Sequence, residues 1–464
     1  MRPIFFKIIS ISLLACFSMT SMSAYAENKA LNALLKVMHE NGQLTKEQYE
    51  MIMAVAQEED QQSVVQTEVQ TRAIVKEETQ AIVKQETKPA VNVATKGKLQ
   101  FESEDKDFKF RLGGRIMLDG AVYNDDKTPL GNQAEVRRAR LYMSGTLWRA
   151  WQFKTQFDFA GNKVGTRDLY LKYTGFKPVT ITVGNFKEPF SLEGSTSSRY
   201  ITFIERSMQD IFTPPRNMGI GVNTYGNNWS AAAGLFADGI DDTEPKGIDE
   251  SYGLTGRVTF APILDQSNVL HLGLSASHRE LSDGNNSLKL EARPEAHTSD
   301  QKLVSTGTLT GVDSFNRYNV EAAWVQGPLS LQGQYVVMDV SRNAGFDDLA
   351  FNGYYVEGSW FLTGENRPYD HKKGVFGYPK VKGIAGMGGI GAWQIALRFS
   401  SIDLTDGPVI GGEEQNITAG LNWYATPNMR FMANYTQVID VDRPGSVHDG
   451  DEPGVFQVRA QVHW

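Results

Sequence analysis

The chain has 464 residues, a formal charge of −8, a single cysteine and 44 glycines, with 41% hydrophobic and 11% aromatic residues. A net negative balance argues against nucleic acid as a partner, while local clusters of charge stay free to bind small anions. No segment past the first residues approaches the run of about eighteen apolar residues that a helical membrane span needs, and the glycine and aromatic content fits many short strands joined by turns.

In chain order, "MRPIFFKIISISLLACFSMTSMSAYA" carries two positive charges, an apolar stretch and a closing Ala24-Tyr25-Ala26. That is the layout of a secretory signal peptide over residues 1–26. A competing reading makes Cys16, after Leu13-Leu14-Ala15, the lipid-modified first residue of a lipoprotein. Cleavage after Ala26 leaves a chain without cysteine, held by backbone pairing and packing rather than disulfides. Residues 27–57 predict a helical hairpin: Leu31, Leu34, Leu35 and Met38 form one stripe, and Tyr49, Ile52, Met53 and Ala56 another. Gly42 ends the first helix, and Thr45 with Gln48 opens the second as a capping box. Residues 58–96 are highly charged, lack aromatics and repeat "AIVKEETQ" as "AIVKQETK". They read as a charged helical stalk or a flexible linker, and a weak a/d pattern leaves a coiled coil open. Pro89 marks the end of that segment.

From residue 97 the texture changes to alternation. In "FKFRLGGRIMLDGAVY" the apolar Phe108, Phe110, Leu112, Ile116, Leu118 and Val122 share one parity, and Lys109, Arg111, Arg115 and Asp119 the other. Such a run is a strand with one apolar and one charged face. Sixteen such runs start near residues 108, 134, 151, 167, 179, 218, 228, 250, 268, 314, 328, 350, 391, 414, 428 and 454. A soluble sandwich and an outer-membrane barrel both alternate in this way. The runs reach nine to fourteen residues, and a tilted membrane strand needs about nine to eleven. Tight connections near 226, 327 and 426 contrast with long polar ones at 280–312 and 363–389, which predicts short turns on one side and long loops on the other. The last residues, "VFQVRAQVHW", alternate to a terminal Trp464, and that strand must pair with the first to close the edge. The ending resembles the signal read by bacterial barrel-assembly machinery. The predicted fold is all-β: a 16-stranded antiparallel transmembrane β-barrel over 97–464 in bacterial outer-membrane lipid, with a short N-terminal helical segment in the periplasm.

If the apolar parity faces lipid, the lumen is rich in arginine, because a lipid-facing Arg at mid-membrane costs about 2–4 kcal/mol. The lumen candidates are Arg111, Arg115, Arg138, Arg140, Arg257, Arg279, Arg398, Arg430 and Arg459. Their plainer reading is that they keep the channel wet and pair with acids such as Asp119 and Asp158. "EVRRARLY" sets Arg137, Arg138 and Arg140 within four residues, with only Glu135 near in sequence. Strict alternation puts Arg137 opposite the other two, so either a bulge turns it inward or it sits at the rim. The alternation then stops over "STSSRYITFIERSMQDIFTPPRN", residues 195–217, after the fifth run, "TITVGNFKEPF". A third connection of that length, about 187–217, predicts a loop folded into the barrel to narrow the pore. Ser197, Ser198 and Arg199 would offer hydroxyl and guanidinium donors there, joined by Lys187 and Arg206. A helical turn is expected from Tyr200 to Met208, packed by Ile201, Ile204 and Met208. The plainer alternative pairs Arg206 with Glu205 or Asp210 and lets the segment only fill space.

"RRARLYMSGTLW", "YTGFKPVTITVGNFKEPFSLEGSTSSRYITFIER" and the two N-terminal helices resemble the phosphate-selective porin O and P family, most strongly between residues 110 and 225. The resemblance implies a homotrimer of sixteen-stranded barrels, with an arginine ladder leading to an inward-folded third loop. By motif, Arg137 and Arg138 match the family's adjacent arginines, Ser198 and Arg199 its constriction serine and basic residue, and Asp168 an acid near the constriction. Arg199 stands where phosphate-selective members have Lys, and Arg140 where they have Tyr. Positive charge is retained, so anion preference is expected, and the choice among anions stays open. The expected function is a passive, anion-selective channel for phosphate or a related inorganic anion, with no cofactor or metal. A general or sugar-preferring porin is the alternative. An outer-membrane enzyme would need a nucleophile and base, and the seven histidines form no such set with a nearby serine motif.

Overall fold

The computed structural model describes residues 31–55, 58, 69–70, 72–77, 91–94, 99–161, 163–240, 249–282, 284 and 286–464. The expected signal peptide, Cys16 and most of the expected stalk lie outside the described residues. The chain divides into two compact units, Met1–Ala90 and Val91–Trp464. In the first, residues 31–40 and 46–55 are helical. Gly42 takes φ +74°, a left-handed conformation that costs glycine little and ends the first helix. Thr45 N donates to Gln48 Oε1 at 3.1 Å and Gln48 N to Thr45 Oγ1 at 3.3 Å, the reciprocal exchange of a capping box.

The second unit is one sheet of eighteen strands. Two of them, Val91–Ala94 and Leu99–Ser103, form a hairpin that pairs with the turn-side end of the first long strand. The other sixteen form the barrel. The first eight are β1 Phe108–Asn124, β2 Gln133–Leu147, β3 Trp151–Asp158, β4 Gly165–Tyr173, β5 Thr180–Lys187, β6 Arg216–Tyr225, β7 Trp229–Phe236 and β8 Tyr252–Leu264. The second eight are β9 Asn268–Glu280, β10 Val312–Gln326, β11 Leu329–Arg342, β12 Leu349–Phe361, β13 Ala392–Asp406, β14 Val409–Tyr424, β15 Met429–Asp442 and β16 Gly454–His463. All neighbours are antiparallel, and β16 pairs with β1 from Gly454 opposite Asn124 to His463 opposite Arg115. Trp464 and Gly114 continue the seam by exchanging backbone hydrogen bonds at 3.1 and 3.2 Å. A Cβ on Gly114 would lie 2.5 Å from the Trp464 ring, so glycine there leaves room for the terminal aromatic.

Closure leaves no free edge in lipid, as a membrane-spanning sheet requires. The parity holds around the wall: Leu118, Val122, Leu254, Leu274, Leu397 and Val458 are exposed outward, while Arg115, Asp119, Arg257, Arg398 and Arg459 are buried within. All eight tryptophans sit in the short turns or at the turn-side strand ends, forming an interfacial girdle. Strand β14 starts earlier than the expected 414, because Gly411-Gly412 interrupts its alternation and Gly412 takes φ +94°.

Two features of the interior depart from the sequence reading. Residues 362–391, expected among the long loops, connect β12 to β13 and therefore belong to the short-turn side. Connections alternate sides strictly in an up-and-down barrel, and length alone does not reveal the side. This segment folds inward as a small hairpin pairing Tyr369–Asp370 with Val375–Phe376. Arg257 holds it through the carbonyls of Lys373 and Gly374, at 3.0 and 2.8 Å. The lumen is also not uniformly wet. An apolar core inside the cylinder joins Phe190, Met208 and Phe212 of the third long loop to Leu290, Leu303 and Val304 of residues 281–311. These pack on Val336, Met338, Phe351, Ile402 and Val438 of β11, β12, β13 and β15. Each such side chain contributes roughly 1.5–3 kcal/mol on burial. With that half filled, a cavity remains against the β1–β6 wall.

Candidate functional site

The third long loop, residues 188–215, is fixed from both ends and from the wall. Ser191 caps a short helix, Leu192–Ser195, by accepting a 2.9 Å bond from Gly194 N. Glu193, buried, accepts from Ser207 N and Oγ at 3.2 and 2.8 Å, which closes the loop on itself. Burial pushes its carboxyl up to about 7, against the pull of Arg398. Arg206 donates to the carbonyls of Glu193 and Thr196 and pairs with Asp210 at 3.5 Å.

The wall then pins the middle of the loop by its carbonyls. Arg430 donates to Ile201 O and Thr202 O, both at 2.7 Å. Arg459 donates to Ile204 O at 2.5 Å, and Arg398 to Glu205 O at 3.2 Å. These oxygens would otherwise accept the amide protons of a helix. The expected helical turn over Tyr200–Met208 is accordingly absent, and helical structure begins only at the 3-10 turn Met208–Phe212. Arg398, Arg430 and Arg459 are at most 2% exposed and serve as clamps. Arg279 and Arg257 are likewise committed, to Glu188 at 3.0 Å and to Glu321 at 2.5 Å.

The remaining basic residues converge. A cavity of about 660 Å³ lies between the β1–β6 wall, the loop around Ser197–Arg199 and the inward turn-side hairpin. Ten basic side chains and two acidic ones, Asp168 and Asp370, line it. Arg115 and Arg140 are directly opposite across β1 and β2, a like-charge pairing that disfavours the sheet. Arg140 is relieved by Asp158 at 2.6 Å. Asp168 bridges Lys154 at 2.5 Å and Arg216 at 2.7 Å. Arg115, Lys172, Lys187 and Arg199 have no carboxylate partner among the described residues. Ser197 Oγ accepts from Arg115 Nη1, Arg199 Nε and the Arg199 backbone N, each at 3.4 Å. Both of its lone pairs are thereby engaged, and its hydrogen is left to donate. An anion in this cavity meets several charge-assisted donors at once.

Of the residues singled out from the sequence, Arg115, Arg138, Arg140, Asp168, Lys187, Ser197, Ser198, Arg199 and Arg206 line this one cavity. Arg206 does so as the brace of the loop. Arg111 lies outside it, its guanidinium 5.8 Å from the Tyr142 ring centre. Arg137 is the extra residue of a bulge, since Met117 faces Arg138 and Leu118 faces Val136. Both adjacent arginines therefore turn inward. Arg137 pairs with Glu205 at 2.8 Å and lines a second cavity of about 250 Å³ with His297 and Lys302. Sequence proximity offered only Glu135 as a counter-charge, and the loop supplies Glu205. Lys154, Lys172, Arg216 and Lys373 were not singled out. The first two carry a readable signal, because each shares the lumen parity of its strand with Asp158 or Asp168. Lys373 had none, because its hairpin was placed on the other side.

The family described as phosphate-selective porin O and P matches residues 110–464. Porin O of Pseudomonas aeruginosa is 28% identical over 410 residues, covering 79% of this chain and 91% of that protein. An uncharacterized protein of Caulobacter vibrioides is 34% identical over 370 residues, covering 77% of this chain and 73% of that one. Among solved structures, the anion-selective porin from Comamonas acidovorans superposes with a TM-score of 0.50 at 14% identity, covering 77% of this chain and all of that one. That last likeness is one of fold.

Proposed function

The chain belongs to the phosphate-selective porin O and P family, and from that premise we propose that its barrel is a passive, anion-selective channel for phosphate or a related inorganic anion. It is an outer-membrane porin, a channel protein rather than an enzyme. Anions are drawn to the β1–β6 wall, lose part of their water against Arg115, Arg199, Lys187 and the Ser197 hydroxyl, and leave past Lys172 and Lys373. The observation that carries this reading is the imbalance of ten basic to two acidic side chains around one cavity, with four of the basic ones free of carboxylates. Conduction needs binding strong enough to strip water and weak enough to release. Asp168 contributes the second condition by holding Lys154 and Arg216 back from the anion.

Two further features belong to the same proposal. Strands β3 to β7 span only eight to ten residues, against thirteen to seventeen in β1, β2 and β8 to β15. This low side of the wall is where copies would meet in a homotrimer. The N-terminal helices lie in the periplasm, because β1 begins at the turn side and outer-membrane barrels keep short turns there.

Planar-bilayer recording of chloride current, with phosphate added as a blocker, tests the proposal. Arg199→Ala removes a charge-assisted donor worth about 1.5–3 kcal/mol. It should raise the half-blocking phosphate concentration roughly tenfold or more. Unchanged block would remove Arg199 from the site.

A further inference from the structure

We propose that the constriction prefers small anions that carry an aromatic ring over anions of the same charge without one. The inference rests on the anion-channel reading above and names the class of anion. Its starting point is the other half of the cavity lining. Beside the basic residues stand Tyr142, Tyr170 and Phe186 from the wall, Tyr200 from the loop, and Tyr369 and Phe376 from the turn-side hairpin. An inorganic anion can use the tyrosine hydroxyls but gains nothing from the ring faces, because apolar surface removes its water without replacing the hydrogen bonds. The volume, about 660 Å³, lies in the range of roughly 300–1,000 Å³ typical of sites for small organic molecules.

The rings are also placed for this use. Tyr170 and Phe186 meet nearly edge to face, with centroids 6.2 Å apart and planes at 77°, and both are partly exposed. Phe186 also meets Phe236 at 5.3 Å, and a ligand ring could join this cluster from the cavity at a distance that aromatic contacts favour. Lys172 Nζ lies 5.4 Å from the Tyr170 ring centre and has no carboxylate partner among the described residues. Arg199 stacks over Tyr200 at 5.0 Å across the cavity. An anionic head can reach Lys172 or Arg199 while its ring rests on Tyr170 and Phe186. A neutral sugar would use the rings and leave the ten basic side chains idle.

Well above their second pKa values methyl phosphate and phenyl phosphate are both dianions and differ in the group the phosphate carries, so their block of chloride current through the full chain in planar bilayers at mildly alkaline pH reads the contribution of the phenyl group. An aromatic contact of about 0.5–1.5 kcal/mol corresponds to a roughly two- to twelvefold change. We expect phenyl phosphate to half-block at about fivefold lower concentration than methyl phosphate. In Tyr170→Leu, with Phe186 still in place, the ratio of the two should fall to about half its wild-type value or less. Equal block of the wild-type pore, or weaker block by phenyl phosphate, overturns the inference and leaves the anion-channel reading intact. A ratio that survives undiminished in Tyr170→Leu overturns the assignment to that ring. A pore that neither compound blocks and that prefers cations sinks the anion-channel reading itself.

Discussion

Asp168 and Glu205 show how one carboxylate can serve a cationic site in two ways. Asp168 sits against Lys154 and Arg216 within the cavity; it orients both and lowers the local positive potential. Asp168→Asn keeps the shape and removes the charge, so anion selectivity should rise, read as a zero-current potential closer to the chloride limit. A shift toward cations would contradict this role. Glu205 instead ties the loop to Arg137 and Arg459, each at 2.8 Å. Burial alone would raise its carboxyl, but Arg137, Arg138 and Arg459 outweigh that and hold it well below the ordinary carboxylate range. Because its folded-state pKa is depressed, its contribution is complete above the unfolded value of about 4.3 and is lost only as pH falls through the folded one. With Glu193, whose carboxyl burial pushes up to about 7, replaced by Gln, single-channel conductance should therefore stay constant from pH 7 to about pH 5; a transition centred in that interval in Glu193→Gln would contradict the assignment. At this scale the sequence exposed the cluster "EVRRARLY" and the serines before Arg199, because charge at lumen parity is visible in one dimension. It concealed which arginines stay free, because Glu205 lies 68 positions from Arg137.

At the scale of elements, the third long loop is an irregular segment held open by arginines on three distant strands. Removing one clamp exposes what it does. Arg430→Ala strands the buried carbonyl of Ile201, at a cost of about 1–3 kcal/mol for a group left unsatisfied, while Thr202 O keeps the Asn422 side-chain amide at 3.0 Å. Noisier and larger single-channel currents with weaker selectivity should follow, and an unaltered current trace would show that the loop holds its place without this clamp. The strands were legible because a period of two is imposed by lipid outside and water within, and their starts could be read to within a few residues. The loops were less so. The missing helix at Tyr200–Met208 reflects carbonyls claimed by Arg398, Arg430 and Arg459, a tertiary effect that local periodicity does not carry. The inward hairpin of residues 362–391 was assigned to the wrong side, although counting connections from β1 makes it the twelfth and places it with the short turns.

For the whole molecule, the wide cylinder is reduced to a narrow path by filling rather than by shrinking. The core around Phe190, Phe212, Leu303 and Val336 occupies one side, the turn-side hairpin closes from below, and the solute is left with the basic wall of β1–β6. The sign of the net charge, −8, says nothing about this path, because the acids are spent on clamps and outer loops. Selectivity in this account is local. The most direct test is the zero-current potential of the purified protein in a planar bilayer under a potassium chloride gradient. The account predicts a potential displaced toward that of a chloride-selective pore, reduced when Arg115, Arg199 and Lys172 are together replaced by glutamine. A potential at zero, or displaced toward potassium, in the unaltered protein would contradict it.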